Sequence, residues 1–280
     1  MKGRIMRVAL AQTSPALAQL SANLASVHEE IQRAAHERAD VIVFPELALS
    51  GYDLGAAAQA TDVSIHDQRL AGLSGSGSDV IVGFHEETAQ RCYNSVAYLR
   101  SGEVVAKQRK LFLPTYATWE ERKHSAPGSR LETFDAGWGR AAILICADAW
   151  QPVLPWLAAQ AGAEVLFVPA NSAVSLEMDV QECWGDLLRT YARLTQSYIV
   201  FVNRSGEESG ALFWGGSCVI DPSGGILVQA AIGETDLVYA DLDLEGLRAF
   251  RRRIPLQGEG RLTLINRELT RVMDRSANVD

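Results

Sequence analysis

Ala141-Ala142-Ile143-Leu144-Ile145-Cys146-Ala147-Asp148-Ala149-Trp150 opens the stretch whose reading decides the fold. Ala141 to Ile145 is an apolar run of strand length without polar alternation, as expected of a strand buried on both faces. Pro152 to Gln160 reads as a helix, and Val165 to Val168 as a second run of the same buried kind. Strand, helix and strand in this succession form a crossover unit, which builds parallel sheet covered by helices.

The alternation continues outward. Toward the N-terminus, Arg7 to Gln12 reads as a strand. Asn23 to Arg38 reads as an amphipathic helix with Leu24, Val27, Ile31 and Ala35 on one face, and Val41 to Phe44 as a short buried strand. Asp79 to Phe84, Ser95 to Arg100 and Val104 to Gln108 are further strands, the last two joined by the turn Ser101-Gly102-Glu103. Toward the C-terminus come a helix, Val180 to Gln196, and a strand, Ile199 to Val202. Strands Ala211 to Ile220 and Ile226 to Gln229 flank the turn Asp221-Pro222-Ser223-Gly224-Gly225, and Leu237 to Leu242 closes the series. The mixture predicts an α/β layered fold with parallel crossovers and antiparallel hairpins. Gly72 to Gly77 is short enough to be a loop, and no repeat or low-complexity linker interrupts the chain. From about Gly246 the sequence is charged and breaks the rhythm. Residues 246–280 are therefore expected to be a C-terminal extension that packs on the 1–245 domain or on a neighbouring subunit.

Bulk properties narrow the function. At 280 residues, 48% hydrophobic and 21% charged, the chain can bury a sizeable core. A net charge of -8 argues against nucleic acid or an anionic membrane as partner. The four cysteines, 92, 146, 183 and 218, form no CxxC pair, which favours a reducing compartment over a disulfide framework or a zinc site. Met1 to Leu10 faintly imitates a signal peptide, but Gln12, Thr13, Ser14 and Pro15 cut its apolar core short, and it reads as a first strand. No run approaches the roughly 20 apolar residues of a membrane span. A soluble, cytoplasmic protein is expected.

Several motifs dissolve on inspection. Gly137-Trp138-Gly139-Arg140-Ala141-Ala142 precedes a strand, where a dinucleotide fingerprint must follow one. Ser223-Gly224-Gly225 reads as a hairpin turn, and there is no GxSxG elbow. His28, His36, His66, His85 and His124 lack ligand spacing and are expected at surface or capping positions. Arg251-Arg252-Arg253 is expected to be a solvated face.

Three residues do not dissolve. Glu46 ends the run Val41-Ile42-Val43-Phe44-Pro45, Lys110 follows Gln108-Arg109, and Cys146 ends Ala141 to Ile145. Singly, each has a bland reading as a capping acid, a solvated lysine or an inert core thiol. In sheets with crossover helices, however, sites form outside the carboxyl ends of strands, where Glu46, Cys146 and Asn171 all fall. They are expected to converge at one sheet edge. A carboxylate, an ammonium and a thiol are the parts of Cys-dependent acyl transfer.

On these residues the chain resembles the nitrilase superfamily of carbon–nitrogen hydrolases. The matching motifs are Phe44-Pro45-Glu46-Leu47-Ala48-Leu49-Ser50-Gly51-Tyr52, Lys110-Leu111-Phe112-Leu113-Pro114-Thr115-Tyr116 and Leu144-Ile145-Cys146-Ala147-Asp148-Ala149-Trp150. Pro127-Gly128, Val168-Pro169-Ala170-Asn171-Ser172, Asn203-Arg204 and Gly215-Gly216-Ser217 support them, over about residues 5 to 245. The resemblance implies a four-layer αββα sandwich that pairs into homodimers or larger assemblies. It implies a Glu46–Lys110–Cys146 triad, with a second glutamate falling on Glu121 rather than Glu120. It also implies substrate contacts from Tyr52, Tyr116, Ala147 and Asn171, and a reaction that needs no metal or organic cofactor. The implied activity is hydrolysis of a non-peptide C–N bond in a small amide. A nitrilase, an N-carbamoyl-amine hydrolase, a glutaminase subunit and a non-catalytic binding protein are the alternatives. Arg122, Lys123 or Arg204 would suit a substrate carboxylate. The likeness is nearest to glutamine-hydrolysing domains of NAD synthetases. Those carry an acidic residue where this chain has Ala147, and their synthetase portion has no counterpart before Asp280, so a freestanding amidase is expected.

Overall fold

Pairing of the apolar runs produces two six-stranded sheets and a small hairpin, seen in a computed structural model that describes residues 5–53, 55, 63–75, 77–115 and 120–276. The strands are β1 (Ile5–Gln12), β2 (Val41–Val43), β3 (Asp79–Glu87), β4 (Cys92–Arg100), β5 (Glu103–Arg109), β6 (Thr133–Asp135) and β7 (Arg140–Ile143). They continue with β8 (Val165–Ala170), β9 (Tyr198–Asn203), β10 (Ser205–Glu208), β11 (Ala211–Trp214), β12 (Cys218–Ile220), β13 (Ile226–Gln229) and β14 (Asp236–Asp243). One sheet runs β14-β1-β2-β3-β4-β5 and the other β13-β12-β9-β8-β7-β6. Each has a parallel centre, β1-β2-β3 and β7-β8-β9, with antiparallel strands outside it. The last strand returns to the first: β14 pairs along all of β1, from Ile5 opposite Asp243 to Gln12 opposite Asp236.

Three buried clusters show how the layers stack. Between the sheets lie Val8, Leu10, Val43, Ile81 and Val96 against Ile143, Ile145, Phe167, Val200 and Val202. Outside the first sheet, α1 (Leu20–His36) lays Leu20, Val27, Ile31 and Ala34 on Ala9, Ile42, Val80 and Val82. Outside the second, α2 (Val153–Gln160) and α3 (Val180–Thr195) lay Leu154, Ala158, Trp184, Leu188 and Tyr191 on Ala142, Leu144, Leu166 and Phe201. Each fully buried Val, Leu, Ile or Phe contributes roughly 1.5–3 kcal/mol. The result is the expected αββα sandwich, and its strands read as near-continuous apolar runs because both faces are covered. No helix among the described residues is long and apolar enough to cross a membrane.

Local departures have local causes. α1 starts at Leu20, a turn before the predicted Asn23. The Asn23 side chain turns inward, accepting from Ala16 N (2.8 Å) and donating to Ala16 O and Leu49 O (2.8 and 3.1 Å). The run Ala211 to Ile220 divides at Gly215–Ser217, where Gln12 Oε1 accepts from both Ser217 N and Oγ (2.8 Å each). His85 is buried near Ser125 rather than at the surface. The boundary expected after residue 245 falls inside one helix, α4 (Leu244–Arg253), whose Leu244 and Leu247 join the inner core. Arg251 is not part of a solvated face, because it donates to Gln196 O, Ala163 O and Ser197 Oγ (2.8–2.9 Å). The last helix, α5 (Leu262–Ser276), exposes Leu269, Val272 and Met273.

One buried ion cluster is expected to make the fold acid-sensitive. Glu86 on β3 accepts from Ser95 Oγ (2.6 Å), Lys107 Nζ (2.6 Å) and Arg109 Nε and Nη2 (2.8 Å each). Burial would raise its pKa, but the two cations and Ser95 outweigh it and lower it from 4.5 to about 2. A depressed folded pKa gives stability that is full above the unfolded value and is lost as pH falls through the folded one. Urea midpoints should therefore drop from about pH 5 down to about pH 2. Glu86→Gln should flatten that limb, and an equally steep limb in the variant would remove Glu86 from the explanation.

Candidate active site

Glu46 is presented by a turn that β3 accommodates. After β2, Phe44 N donates to Ile81 O (2.9 Å) and Leu49 N to Gly83 O (3.1 Å). Leu47 takes a left-handed φ of 51°. A Cβ at Gly83 would collide with Pro45 O and Leu47 N, so only glycine lets this turn lie against β3. The Glu46 carboxylate is held from three sides. Oε1 accepts from Asn94 Nδ2 (2.7 Å) and Lys110 Nζ (2.6 Å), and Oε2 accepts from Asn171 N (2.9 Å).

Lys110 extends β5. Its N–H donates to Asn94 O (2.8 Å), and its carbonyl accepts from Gly128 N (2.7 Å), which is the role of the Pro127-Gly128 pair. Its fully buried Nζ also donates to Glu121 Oε1 (2.7 Å). Glu121 opens a single helical turn, Glu121–His124, and the same Oε1 accepts from Tyr52 OH (2.5 Å).

Cys146 begins a 3-10 turn, Cys146–Trp150, just beyond β7, and its φ of 47° is rare for a residue with a Cβ. Asp148 secures that turn: Oδ2 accepts from Ile145 N (3.2 Å), and Oδ1 accepts from Leu111 N and Phe112 N (2.9 Å each). The cysteine turn is thus bolted to the segment that carries Lys110. Burial pushes the Asp148 carboxyl up to about 7, against the pull of these N–H groups. Cys146 and Ala147 are partly exposed.

The charges are mutually dependent. Burial lowers the Lys110 pKa, but Glu121, Glu46 and Cys146 hold it well above the ordinary value. Burial and then Glu46 push the Cys146 thiol up, with Lys110 opposing. Burial raises Glu121, Lys110 opposes, and Glu46 adds to the rise. Tyr52 is raised by burial and by Glu121. These directions favour the charged form of Lys110 and the neutral thiol of Cys146.

The structure brings Glu46, Lys110, Glu121 and Tyr52 into one hydrogen-bonded cluster, with Cys146 and Asn171 adjoining it. They converge from two facing sheets rather than one edge: Glu46 and Lys110 from the first, Cys146 and Asn171 from the second. Ala147 follows Cys146 in the turn, and Tyr116 lies outside the described residues. Arg204, expected to suit a substrate carboxylate, is buried and paired with Glu208 (2.7 Å). Arg122 and Lys123 are exposed, and Lys123 pairs with Glu120 (2.6 Å). The Asn171 side chain and Glu121 Oε2 are buried polar groups without a partner among the described residues. Among the described residues no group of His, Cys, Asp and Glu is placed to hold a metal. Asn94 was not foreseen. Its only sequence signal is polarity at the start of an apolar strand, Tyr93-Asn94-Ser95.

A two-sheet sandwich with a thiol, a lysine and paired carboxylates at its strand ends defines a class of cysteine-bearing α/β proteins, and comparison with known proteins places the chain within it. The sequence profile of the carbon-nitrogen hydrolase family matches residues 7–252, so the chain belongs to that family, within the nitrilase superfamily. It is 31% identical over 269 residues to an (R)-stereoselective amidase of Pseudomonas sp, covering 92% of this chain and 93% of that one. It is 29% identical over 276 residues to the omega-amidase Nit3 of Saccharomyces cerevisiae, covering 91% and 93%. The crystal structure of yeast Nit3 superposes with a TM-score of 0.80 at 26% identity, over 92% of this chain and 97% of that one. A glutamine-dependent NAD(+) synthetase of Thermotoga maritima is 30% identical over 245 residues, covering 86% of this chain but 42% of that protein. The chain thus spans less than half the length of that relative. It is thus a member of the carbon–nitrogen hydrolase family whose relatives include amidases matched over nearly their whole length.

Proposed function

We propose that the protein hydrolyses the C–N bond of a small amide through a thioester on Cys146, with Glu46, Lys110 and Cys146 as its triad. The observation that carries this reading is Lys110, buried and shared between Glu46 and Glu121, beside a cysteine whose left-handed turn lifts it to a partly open position. The amidase relatives support an amide as substrate.

The raised thiol pKa means Cys146 needs a base, and Glu46 is the one at hand. The sulfur attacks the amide carbon as its proton passes to Glu46. Lys110 and the Ala147 N–H stabilise the oxyanion, each such donor contributing roughly 3 kcal/mol in other enzymes. The tetrahedral species collapses, the C–N bond breaks, and Glu46 returns the proton to the departing nitrogen. Water attacks the thioester with Glu46 again taking its proton, the C–S bond breaks and the thiol is restored. Glu121 Oε2 and the Asn171 side chain, both lacking a partner among the described residues, suit the amide group of the substrate. No step calls for a metal or organic cofactor. We place the protein in the cytoplasm as a homodimer or higher oligomer, for which the exposed Leu269, Val272 and Met273 of α5 offer a surface.

Ammonia release from a panel of primary amides, ω-amides, carbamoyl amines and nitriles tests the reading. Turnover is expected with amides and not nitriles; folded protein that releases nothing from any amide refutes it. A glutaminase role is the second reading, favoured by the match to a glutamine-dependent synthetase over 86% of this chain. It is supported if glutamine is the preferred amide and a partner enzyme raises the rate.

A further inference from the structure

The hairpin β10–β11 joins the two loops that carry Tyr52 and Asn171. On one side, Val174 N donates to Leu212 O (2.8 Å) and Trp214 Nε1 to Ser172 Oγ (3.2 Å). On the other, Glu208 Oε1 accepts from the backbone N–H of both Tyr52 (2.7 Å) and Asp53 (2.8 Å). Glu208 Oε2 accepts from Arg204 Nη1 (2.7 Å). Arg204 is buried, donates from Nη2 to Pro15 O (3.3 Å) and lies over the Phe213 ring, 4.4 Å from its centre. Phe213 in turn meets the Tyr52 ring edge-on at 6.0 Å. Gly51, at φ 82°, has no Cβ to fill the space where Glu208 Oε2 sits.

A buried ion pair is often replaceable by apolar residues without loss of stability, so its use here is read from what its geometry holds. It holds the backbone of the residue whose phenol donates to Glu121. Resting on the hydrolase reading above, we propose that Glu208, paired with Arg204, is a positioning residue that sets Tyr52 and through it the Glu121 carboxylate beside Lys110. Lys110 and Tyr52 share Glu121 Oε1, so a shifted Tyr52 changes where Glu121, and hence the lysine between the two glutamates, comes to rest.

The test is a double-mutant cycle between Glu208→Ala and Tyr52→Phe, reading kcat, KM and pH profile on an accepted amide. Glu208→Ala should lower kcat about 10- to 100-fold with little change in KM, the usual scale for a small misplacement. Both single variants should displace the pH profile the same way, and adding Tyr52→Phe to Glu208→Ala should cost less than about twofold more. Two further variants guard against misfolding caused by an unpaired Arg204. Arg204→Met/Glu208→Gln keeps an oxygen for the two N–H groups, and Arg204→Met/Glu208→Met does not. The first should retain activity and the second lose it, at similar melting temperatures. A folded Glu208→Ala with wild-type kcat and pH profile, costs that multiply independently, or equal activity in the two double variants would overturn the proposal. The rate of Cys146 alkylation by iodoacetamide against pH, measured on the same variants, needs no turnover. If wild type hydrolyses nothing but its alkylation profile moves together in Tyr52→Phe and Glu208→Ala, the hydrolase reading fails and the positioning role stands. If the alkylation profiles move independently, the positioning role fails.

Discussion

Cys146→Ala is expected to reduce amide turnover by a factor of about 10⁴ or more, with the melting temperature within a few degrees of wild type. The substitution is small at the partly exposed turn Cys146–Trp150, which Asp148 continues to hold through three backbone N–H groups. Alanine, like cysteine, has one Cβ to place at φ 47°, so the turn bears no new strain. What disappears is the atom proposed to bond to carbon. Cys146→Ser keeps a nucleophilic atom, but an alcohol is a far weaker one than a thiol that can pass its proton to Glu46, and only trace activity should remain. Mass spectrometry of wild type quenched during turnover should find an added acyl group on the peptide holding Cys146, and none on those holding Cys92, Cys183 and Cys218. Residual activity above about 1% in the alanine variant would assign the bond-forming atom elsewhere.

What the sequence could reveal depended on whether the signal was local. Apolar runs and strand ends are local, so the strands around Glu46, Lys110 and Cys146 could be read directly, and the family motifs supplied Glu121. Which sheet each strand joins is not local. Glu46 and Cys146 looked like neighbours on one edge because both follow buried strands, yet they face each other from separate sheets. The pairing of β14 with β1 spans almost the whole chain and leaves no mark on either segment. The residues that hold the site were hidden for the same reason. Asn94 donates to Glu46 across 48 positions, and Glu208 accepts from Tyr52 across 156. In one dimension a buried or half-buried polar residue looks like a surface residue, as the expectations for His85 and Arg251 showed. Asp148 lay inside a recognised motif, but its bonds to Leu111 and Phe112 required the fold.

Lys110→Met should be as inactive as the cysteine variant and, unlike it, unstable in a pH-dependent way. Lys110 Nζ is the cation between Glu46 Oε1 and Glu121 Oε1, with all three side chains buried. Removing it leaves two carboxylates facing each other out of water, and breaking a buried pair in this manner costs about 3–5 kcal/mol. The sign with pH follows from the direction of the shifts. Burial and Glu46 already raise Glu121, and Lys110 and Tyr52 restrain it, so without the lysine its folded pKa should climb further. A raised folded pKa gives stability that is present below the unfolded value and lost as pH rises through the folded one. In wild type the lysine compensates, and its own raised pKa keeps it charged past its ordinary 10.5. The melting temperature of Lys110→Met, relative to wild type, should therefore fall as pH rises from the ordinary carboxylate value of 4.5 toward neutrality. Adding Glu121→Gln removes the second charge and should restore much of the stability while turnover stays absent, because the proposed oxyanion would still lack its cation. Thermal melts of the single and double variants across that range decide the matter. A single variant equally stable throughout would mean that the two carboxylates do not depend on Lys110, and the electrostatic account of the site would have to be abandoned.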